Sequence, residues 1–385
     1  MIYLKLKNLG KADHRKRNTR MKLPELIIKN IRLNNCIVQG GMGVAVSLHP
    51  LAGAVSRLGG LGIISSAGLR TVVSLREGEK VDTYTAVRME IERAQSLSGG
   101  RPVGINVMCA LVGSYEDTIR AAIDAKVGAI ISGAGLPTGL PSIQPPGHTA
   151  LIPIVSSARV LEIIVKRWER FGYRPDAVVL EGREAGGHLG FKMVELNDPR
   201  FALEKLLLEV LEVAHRHGDF PIIVAGGLYT HEDIEKFLAM GAKGVQMGTR
   251  FLATHESSAT DAYKQAVVAA GKDDITVVAF PDSAPASPCG LPFRVLKSSP
   301  MYTNKRPARC NQGYVLQRGL DGKLSMCQAM PGAPNSEKFL CICNGLLASA
   351  GYAPAELPLY TVGSNAYRVD KILSVAQLME ELCGE

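Results

Sequence analysis

The chain has 385 residues, of which 46% are hydrophobic and 21% are charged, a composition typical of a folded protein and unlike that of a disordered chain. A net charge of +8 would suit nucleic-acid binding if it covered one surface, but residues 1–22 hold eight basic residues against one acid. We therefore interpret residues 1–22 as a basic, disordered leader and expect no nucleic-acid partner.

The sequence contains neither a predicted membrane span nor a predicted signal peptide. No apolar run approaches the roughly 20 residues that span a bilayer, and no apolar signal-peptide core follows the basic start. We therefore expect a cytoplasmic protein without a membrane partner. In that reducing compartment the eight cysteines would be thiols or metal ligands, because disulfides persist mainly in oxidising compartments.

Short runs rich in Val, Ile and Leu alternate with longer segments of helical periodicity, and this alternation is typical of βα units. Eight units in succession predict an α/β protein with a (β/α)8 TIM barrel, which we place at residues 23–280. A doubly wound open sheet is the alternative, but it would need a dinucleotide glycine fingerprint after its first strand. The predicted strands are Cys36–Gln39, Leu61–Ile64, Val103–Val107, Ala129–Ile131, Ile152–Val155, Ala177–Leu180, Ile222–Ala225 and Gly244–Met247.

Segments with apolar residues near a spacing of 3.6 lie between these strands. From about residue 281 the alternation stops, and Pro, Gly, Ser and Cys become frequent. Residues 281–385 are therefore predicted to form an irregular, cysteine-bearing appendage or cap that ends in a short helix, Ser374–Leu382. The helices predicted within the barrel include Thr83–Ser98, Tyr115–Ala125, Ala158–Phe171, Pro199–His217, His231–Met240 and Ser258–Ala270.

Glycine-rich sequences follow the last two predicted strands, where barrel enzymes commonly bind a phosphate. They are Ala225-Gly226-Gly227 and Met247-Gly248-Thr249. Small residues let backbone N–H groups and a helix N-terminus approach an anion, and Thr249 adds a hydroxyl. Either segment alone could be a tight turn only, but the two together favour an anion site.

One imidazole, that of His188, lies in the glycine-rich segment after the sixth predicted strand. Histidine can accept a proton from a weak carbon acid near neutral pH, although a histidine in a loop can also serve only as a hydrogen-bonding group. The neighbouring Glu181 and Glu184 are interpreted as polar anchors, since neither their spacing nor their context suggests hydrolysis.

Five segments resemble the nitronate monooxygenase family, formerly called 2-nitropropane dioxygenases, which includes the flavin-dependent enoyl-acyl-carrier-protein reductases. The resemblance implies an FMN-binding barrel in which His188 faces the substrate and Gly41, Met42 and Asn106 lie at the flavin ring. It also implies that the FMN phosphate is held by Gly226, Gly227, Gly248 and Thr249. Further cofactor contacts are expected from Glu181, Gly186, Gly187, Ala225, Gln246 and Met247. The resembling segments are Gln39–Met42, Ser132–Pro137, Glu184–Gly190, Ala225–Leu228 and Gln246–Phe251.

Two activities follow from this resemblance. A nitronate monooxygenase oxidises alkyl nitronates or nitroalkanes with O2 through a flavin semiquinone, and His188 would be the base for neutral substrates. An enoyl-thioester reductase would use NAD(P)H and take an acyl-carrier-protein substrate. The motif Gln39-Gly40-Gly41-Met42 is closer to that of the reductases. A homodimer is compatible with either activity. A non-catalytic phosphate- or nucleotide-binding barrel is a third hypothesis.

Cysteines cluster in the predicted appendage. Four of them, Cys310, Cys327, Cys341 and Cys343, could provide a tetrahedral zinc site or hold an iron–sulfur cluster. Their spacing lacks paired Cys-x-x-Cys sequences, so buried thiols in an irregular cap are the alternative.

Overall fold

The structure is a computed structural model, and it describes residues 21–279, 282, 285–288, 290–304, 315–318 and 324–384. Eight parallel strands form a closed barrel, in which the eighth strand pairs with the first. Each strand lies within two residues of its predicted bounds, so the predicted (β/α)8 fold is confirmed. The barrel strands are Ile37–Gln39, Leu61–Ser65, Val103–Met108, Ala129–Gly133, Ala150–Val155, Val178–Glu181, Ile222–Ala225 and Gly244–Met247.

The barrel strands form the core of the molecule. All residues of the strands Leu61–Ser65 and Ala129–Gly133 are buried, because one face of each strand fills the barrel interior and the other packs under the outer helices. This two-sided burial explains why the sequence shows continuous apolar runs here instead of alternation. An antiparallel hairpin, Leu26–Ile28 and Ile31–Leu33, precedes the first barrel strand.

The outer helices follow the predicted pattern, with two differences. The helix predicted over Pro199–His217 is a 3₁₀ turn, Pro199–Phe201, and then an α-helix, because Ala202 between them has an extended backbone. The helix predicted over Ser258–Ala270 begins at Asp261, because the Thr260 side chain caps it. The α-helices are His49–Arg57, Leu69–Glu77, Thr83–Leu97, Tyr115–Asp124, Leu140–Ile143, Ala158–Glu169, Leu203–His217, His231–Ala239, Thr249–Leu252, Asp261–Val268, Pro300–Thr303, Ile342–Ser349 and Val375–Cys383.

The C-terminal helix, Val375–Cys383, packs against the helices His49–Arg57 and His231–Ala239. It therefore occupies the place in the outer ring that belongs to the helix after the eighth strand. The buried His231 ring joins it to the barrel, with Nδ1 2.8 Å from the carbonyl oxygen of Leu382. The segment after the eighth strand thus ends in a helix that completes the outer ring of the barrel.

A three-stranded antiparallel sheet connects the segment after the barrel strands to the sixth βα loop. Its strands are Gly187–His188, Phe293–Leu296 and Ile275–Val278, with Phe293–Leu296 in the middle. A further hairpin is formed by Val315–Arg318 and Leu324–Met326. The predicted leader, up to residue 20, and the boundary predicted between residues 280 and 281 lie outside the described residues. In the part of the chain that is described, no helix is long and apolar enough to cross a membrane.

Candidate functional site

A cavity of about 1190 Å³ lies at the carboxyl ends of the barrel strands. This volume exceeds the roughly 300–1,000 Å³ of an ordinary small-ligand pocket, so it can hold a large cofactor and a second ligand together. His188 and all the predicted cofactor-binding residues line this one cavity, although they come from different βα loops. These residues are Gly41, Met42, Asn106, Glu181, Gly186, Gly187, Ala225, Gly226, Gly227, Gln246, Met247, Gly248 and Thr249.

His188 is held by a strand and not by a free loop, which sequence reasoning did not anticipate. Its backbone pairs with Phe293, and the two rings meet edge to face with centroids 4.6 Å apart. The next residue, Leu189, donates its N–H to the carbonyl oxygen of Pro292 at 2.9 Å. A segment about 100 residues further along the chain therefore positions the imidazole.

The buried side chain of Arg294 holds the loop that precedes His188. Arg294 is 7% exposed, and its Nη1 donates a hydrogen bond to the carbonyl oxygen of Ala185. Burial lowers the pKa of this guanidinium, and the neighbouring Glu184 opposes that effect. Arg294 thus stabilises the glycine-rich loop that carries His188. The contact between Arg294 and this loop joins residues 109 positions apart, so sequence analysis did not predict it.

Glu181 ends the sixth barrel strand and lies at the base of the cavity. Burial raises the pKa of its carboxyl from an ordinary 4.5 to about 7, and the nearby His188 acts in the opposite direction. The exposed part of the side chain faces the cavity, so it is shielded from bulk solvent. Glu181 therefore holds a proton over much of the acidic range, which the sequence interpretation as a polar anchor did not include.

The proposed anion end of the cavity is built from glycines in an unusual backbone conformation. Gly226 and Gly227 both have φ of +88°, a region that residues with a side chain rarely adopt. A Cβ at Gly226 would lie 2.8 Å from the carbonyl oxygen of Gly182. The helix Thr249–Leu252 begins beside these glycines, with Gly248 as its N-cap residue. The two predicted phosphate loops therefore meet at one place.

The part of the cavity beside Gly41 fits a flat ring system. A Cβ at Gly41 would lie 2.4 Å from Cβ of Asn106, so the first βα loop can approach the third strand only with glycine at this position. Oε1 of Gln246 is buried and accepts no hydrogen bond from any described residue. A buried acceptor of this kind calls for a donor from a bound molecule.

Residues 361–365 form a second wall of the anion end, which sequence reasoning missed. The N–H of Gly363 donates to Oγ1 of Thr249 at 2.8 Å, and Nδ2 of Asn365 donates to the carbonyl oxygen of Gly227 at 2.5 Å. We call residues 361–365 the C-terminal strap. A Gly-Ser-Asn sequence far from any barrel strand is not a signal that sequence analysis can connect to this site.

A family model described as nitronate monooxygenase matches residues 25–122 and 109–385. The chain belongs to the nitronate monooxygenase family. The match continues to residue 385, so it includes the segment that we predicted as an appendage and the C-terminal strap. This confirms the family that the sequence motifs indicated.

Relatives in this family carry several activities. A Rhodococcus jostii protein named (3aS,4S,5R,7aS)-5-hydroxy-7a-methyl-1-oxo-octahydro-1H-indene-4-carboxyl-CoA dehydrogenase is 29% identical over 265 residues, which are 68% of this chain and 62% of that protein. A probable nitronate monooxygenase of Bacillus subtilis is 25% identical over 64% of this chain and 74% of its own length. These names are all oxidoreductases, so the protein is an enzyme of that class, and the non-catalytic hypothesis is set aside.

Solved structures agree with the fold. FabK from Thermotoga maritima has a TM-score of 0.65 and 27% sequence identity, and the match covers 91% of this chain and 92% of that chain. Nitroalkane oxidase from Streptomyces ansochromogenes has a TM-score of 0.61 with 22% identity over 93% and 96% of the two chains, a likeness that shows the fold alone.

The family is flavin-dependent, and the cavity fits FMN on two observations. Oε1 of Gln246, which has no described donor, suits a donor on the flavin ring, and the glycines at positions 226 and 227 leave room for a phosphate. The chemistry of the residues present therefore agrees with this cofactor.

The predicted four-cysteine metal site is not supported by the described residues. Cys327, Cys341 and Cys343 line the same cavity, but no group of three or more His, Cys, Asp or Glu residues in the described part of the chain is arranged to hold a metal ion. Cys310 lies outside the described residues, so the complete set stays a prediction.

Proposed function

We propose that this protein is an FMN-dependent oxidoreductase that oxidises alkyl nitronates or nitroalkanes with O2, with His188 as the base for neutral substrates. The observation that carries the proposal is that His188 lines the same cavity as the glycines of the proposed anion pocket. Among the described residues that line this cavity, His188 is the one histidine, so its imidazole is the one available to a bound ring.

In this proposal, Gly226, Gly227, Gly248 and Thr249 bind the FMN phosphate, and Gly41, Met42 and Asn106 border the flavin ring. FMN, when bound, supplies the electron acceptor that no protein side chain can provide. An imidazole nitrogen of His188 accepts the proton from the carbon next to the nitro group, which leaves the nitronate. Phe293 and Arg294 keep the imidazole and its loop in place, so the base is oriented before the substrate arrives.

The second candidate function is the reduction of an enoyl thioester with electrons from NAD(P)H. The outer part of the cavity favours it. Apolar side chains from residues beyond the barrel strands line this part, among them Leu291, Ile342 and Leu346. A small nitronate would leave such a surface uncovered, whereas an acyl chain would cover it. FabK, an enoyl-acyl-carrier-protein reductase, is also among the similar structures.

One paired assay separates the two activities. Purified, FMN-loaded protein is supplied with propionate 3-nitronate or 2-nitropropane while oxygen uptake is recorded. In parallel, NADH and NADPH oxidation is followed anaerobically with crotonyl thioester. Oxygen uptake that depends on the nitronate supports the first proposal, and its absence together with thioester-dependent NAD(P)H oxidation replaces the first with the second. Failure of the purified protein to bind FMN contradicts both.

A further inference from the structure

The C-terminal strap, residues 361–365, contacts all three βα loops that surround the anion end of the cavity. The N–H of Ser364 donates to the carbonyl oxygen of Glu184 in the sixth loop at 3.1 Å. Asn365 contacts Gly227 in the seventh loop, and Gly363 contacts Thr249 in the eighth. Three loops that are far apart in sequence are therefore joined by one short segment.

The strap is itself anchored to the scaffold. The phenol of Tyr263, which is fully buried, donates to the carbonyl oxygen of Thr361 and accepts from the N–H of Thr361 at 2.7 Å. The ring of Tyr263 stacks on Tyr360, with centroids 4.6 Å apart. On the other side of the strap, the phenol of Tyr229 donates to the carbonyl oxygen of Arg368. Anchors on both sides keep the strap in a single position.

The fit between the strap and the His188 loop leaves no spare room. A Cβ at Gly186 would lie 2.6 Å from the carbonyl carbon of Val362 and 2.7 Å from the nitrogen of Gly363. A Cβ at Gly363 would lie 3.1 Å from Oγ1 of Thr249. Backbone therefore lies directly on backbone, and the strap borders the cavity together with the loops that it joins.

We propose that the C-terminal strap is part of the cofactor site and that Asn365 is its positioning residue, which holds the Gly227 peptide in the orientation that binds a phosphate. The carbonyl oxygen of Gly227 and the N–H of Leu228 belong to one peptide, and the positive φ and conformational freedom of Gly227 let that peptide turn either group toward the phosphate. A carbonyl oxygen turned toward the phosphate would repel it, whereas an N–H would bind it. By binding the carbonyl oxygen of Gly227, the Asn365 amide holds that oxygen in one direction.

In the eighth loop, Gly363 orients the hydroxyl of Thr249. The Thr249 hydroxyl accepts the N–H of Gly363, so its own hydrogen is left to point elsewhere and can be donated to a phosphate oxygen. Phosphate recognition thus depends on residues more than 100 positions after the strands that form the pocket. This inference rests on the proposed FMN site.

The test compares FMN with riboflavin, which has the same ring and ribityl chain but no phosphate. Dissociation constants of both flavins are measured by fluorescence quenching for the flavin-free wild-type protein, Asn365→Ala and the isosteric Asn365→Asp. Asn304→Ala is the matched control, because that asparagine is exposed and its side chain bonds to Pro300 outside the cavity. Thermal midpoints of the flavin-free proteins are recorded in parallel.

We expect Asn365→Ala to weaken FMN binding about tenfold, as loss of one hydrogen bond to a charged-ligand loop predicts, and Asn365→Asp to weaken it more because a negative charge replaces the donor. Riboflavin binding should change less than about twofold in both variants. Equal weakening of FMN and riboflavin, or unchanged FMN binding, overturns the role of the strap. A wild-type protein that binds no FMN refutes the proposed function instead, so the two failures are distinguishable.

Discussion

Replacement of Glu181 by glutamine tests whether the cavity floor holds a buried proton. The carboxyl pKa is about 7 in the folded protein and would return to an ordinary 4.5 in the unfolded chain. Below about pH 4.5 both states are protonated, and Glu181 adds no charge penalty. As the pH rises, the unfolded chain releases the proton first, so stability falls and reaches its lower plateau above about pH 7.

The size of this effect follows from the two pKa values. A tenfold difference in proton affinity corresponds to about 1.4 kcal/mol, so the folded wild-type protein loses up to about 3 kcal/mol between pH 4.5 and pH 8 through Glu181. The side chain is partly exposed, so screening makes this figure an upper limit. Glu181→Gln carries no titrating group at this position. Its free energy of unfolding relative to wild type should therefore rise with pH by an amount approaching that value.

Urea unfolding of the flavin-free proteins at several pH values between 5 and 8 measures this difference. Glu184→Gln is the matched control, because Glu184 lies in the same loop with its side chain 45% exposed. The difference between Glu184→Gln and wild type should stay nearly constant over this range. If the free energies of unfolding of Glu181→Gln and wild type change with pH in parallel, the pKa of Glu181 is not raised by burial.

Substitutions at three further positions test the fold and the site. Gly248→Asp should abolish FMN binding by placing a negative charge at the phosphate pocket, whereas Gly248→Ala should retain it, since a Cβ there meets nothing closer than 3.6 Å; FMN retained by both variants contradicts this pocket. His188→Ala should keep FMN bound but lose turnover of neutral 2-nitropropane, and unchanged oxygen uptake would remove His188 from the proposed mechanism. Trp168→Ala should lower the free energy of unfolding by about 3–5 kcal/mol, because this fully buried ring also donates to the carbonyl oxygen of Pro137 at 2.8 Å; denaturant unfolding checks this, and a loss below about 1 kcal/mol would contradict it.

Local sequence patterns were enough to predict the barrel and part of the candidate site. The barrel strands are short apolar runs buried on both faces, and that pattern is local, so strands such as Ile222–Ala225 and Gly244–Met247 could be located to the residue. Parallel strands also align their carboxyl ends, so Gly227, Thr249 and His188 could be assigned to one edge before any contact was known. The order of the strands along the chain and the spacing of apolar residues were sufficient for these predictions.

The remaining contacts of the candidate site are visible only in the folded chain. Phe293 pairs with His188, Arg294 holds the loop at Ala185, and Asn365 binds Gly227, although these partners lie about 100 residues or more apart in the chain. Neither helical nor strand periodicity records contacts between segments at such separations. The proton on Glu181 has the same origin, since its pKa depends on how much water the assembled cavity excludes, and a local sequence pattern carries no information about that.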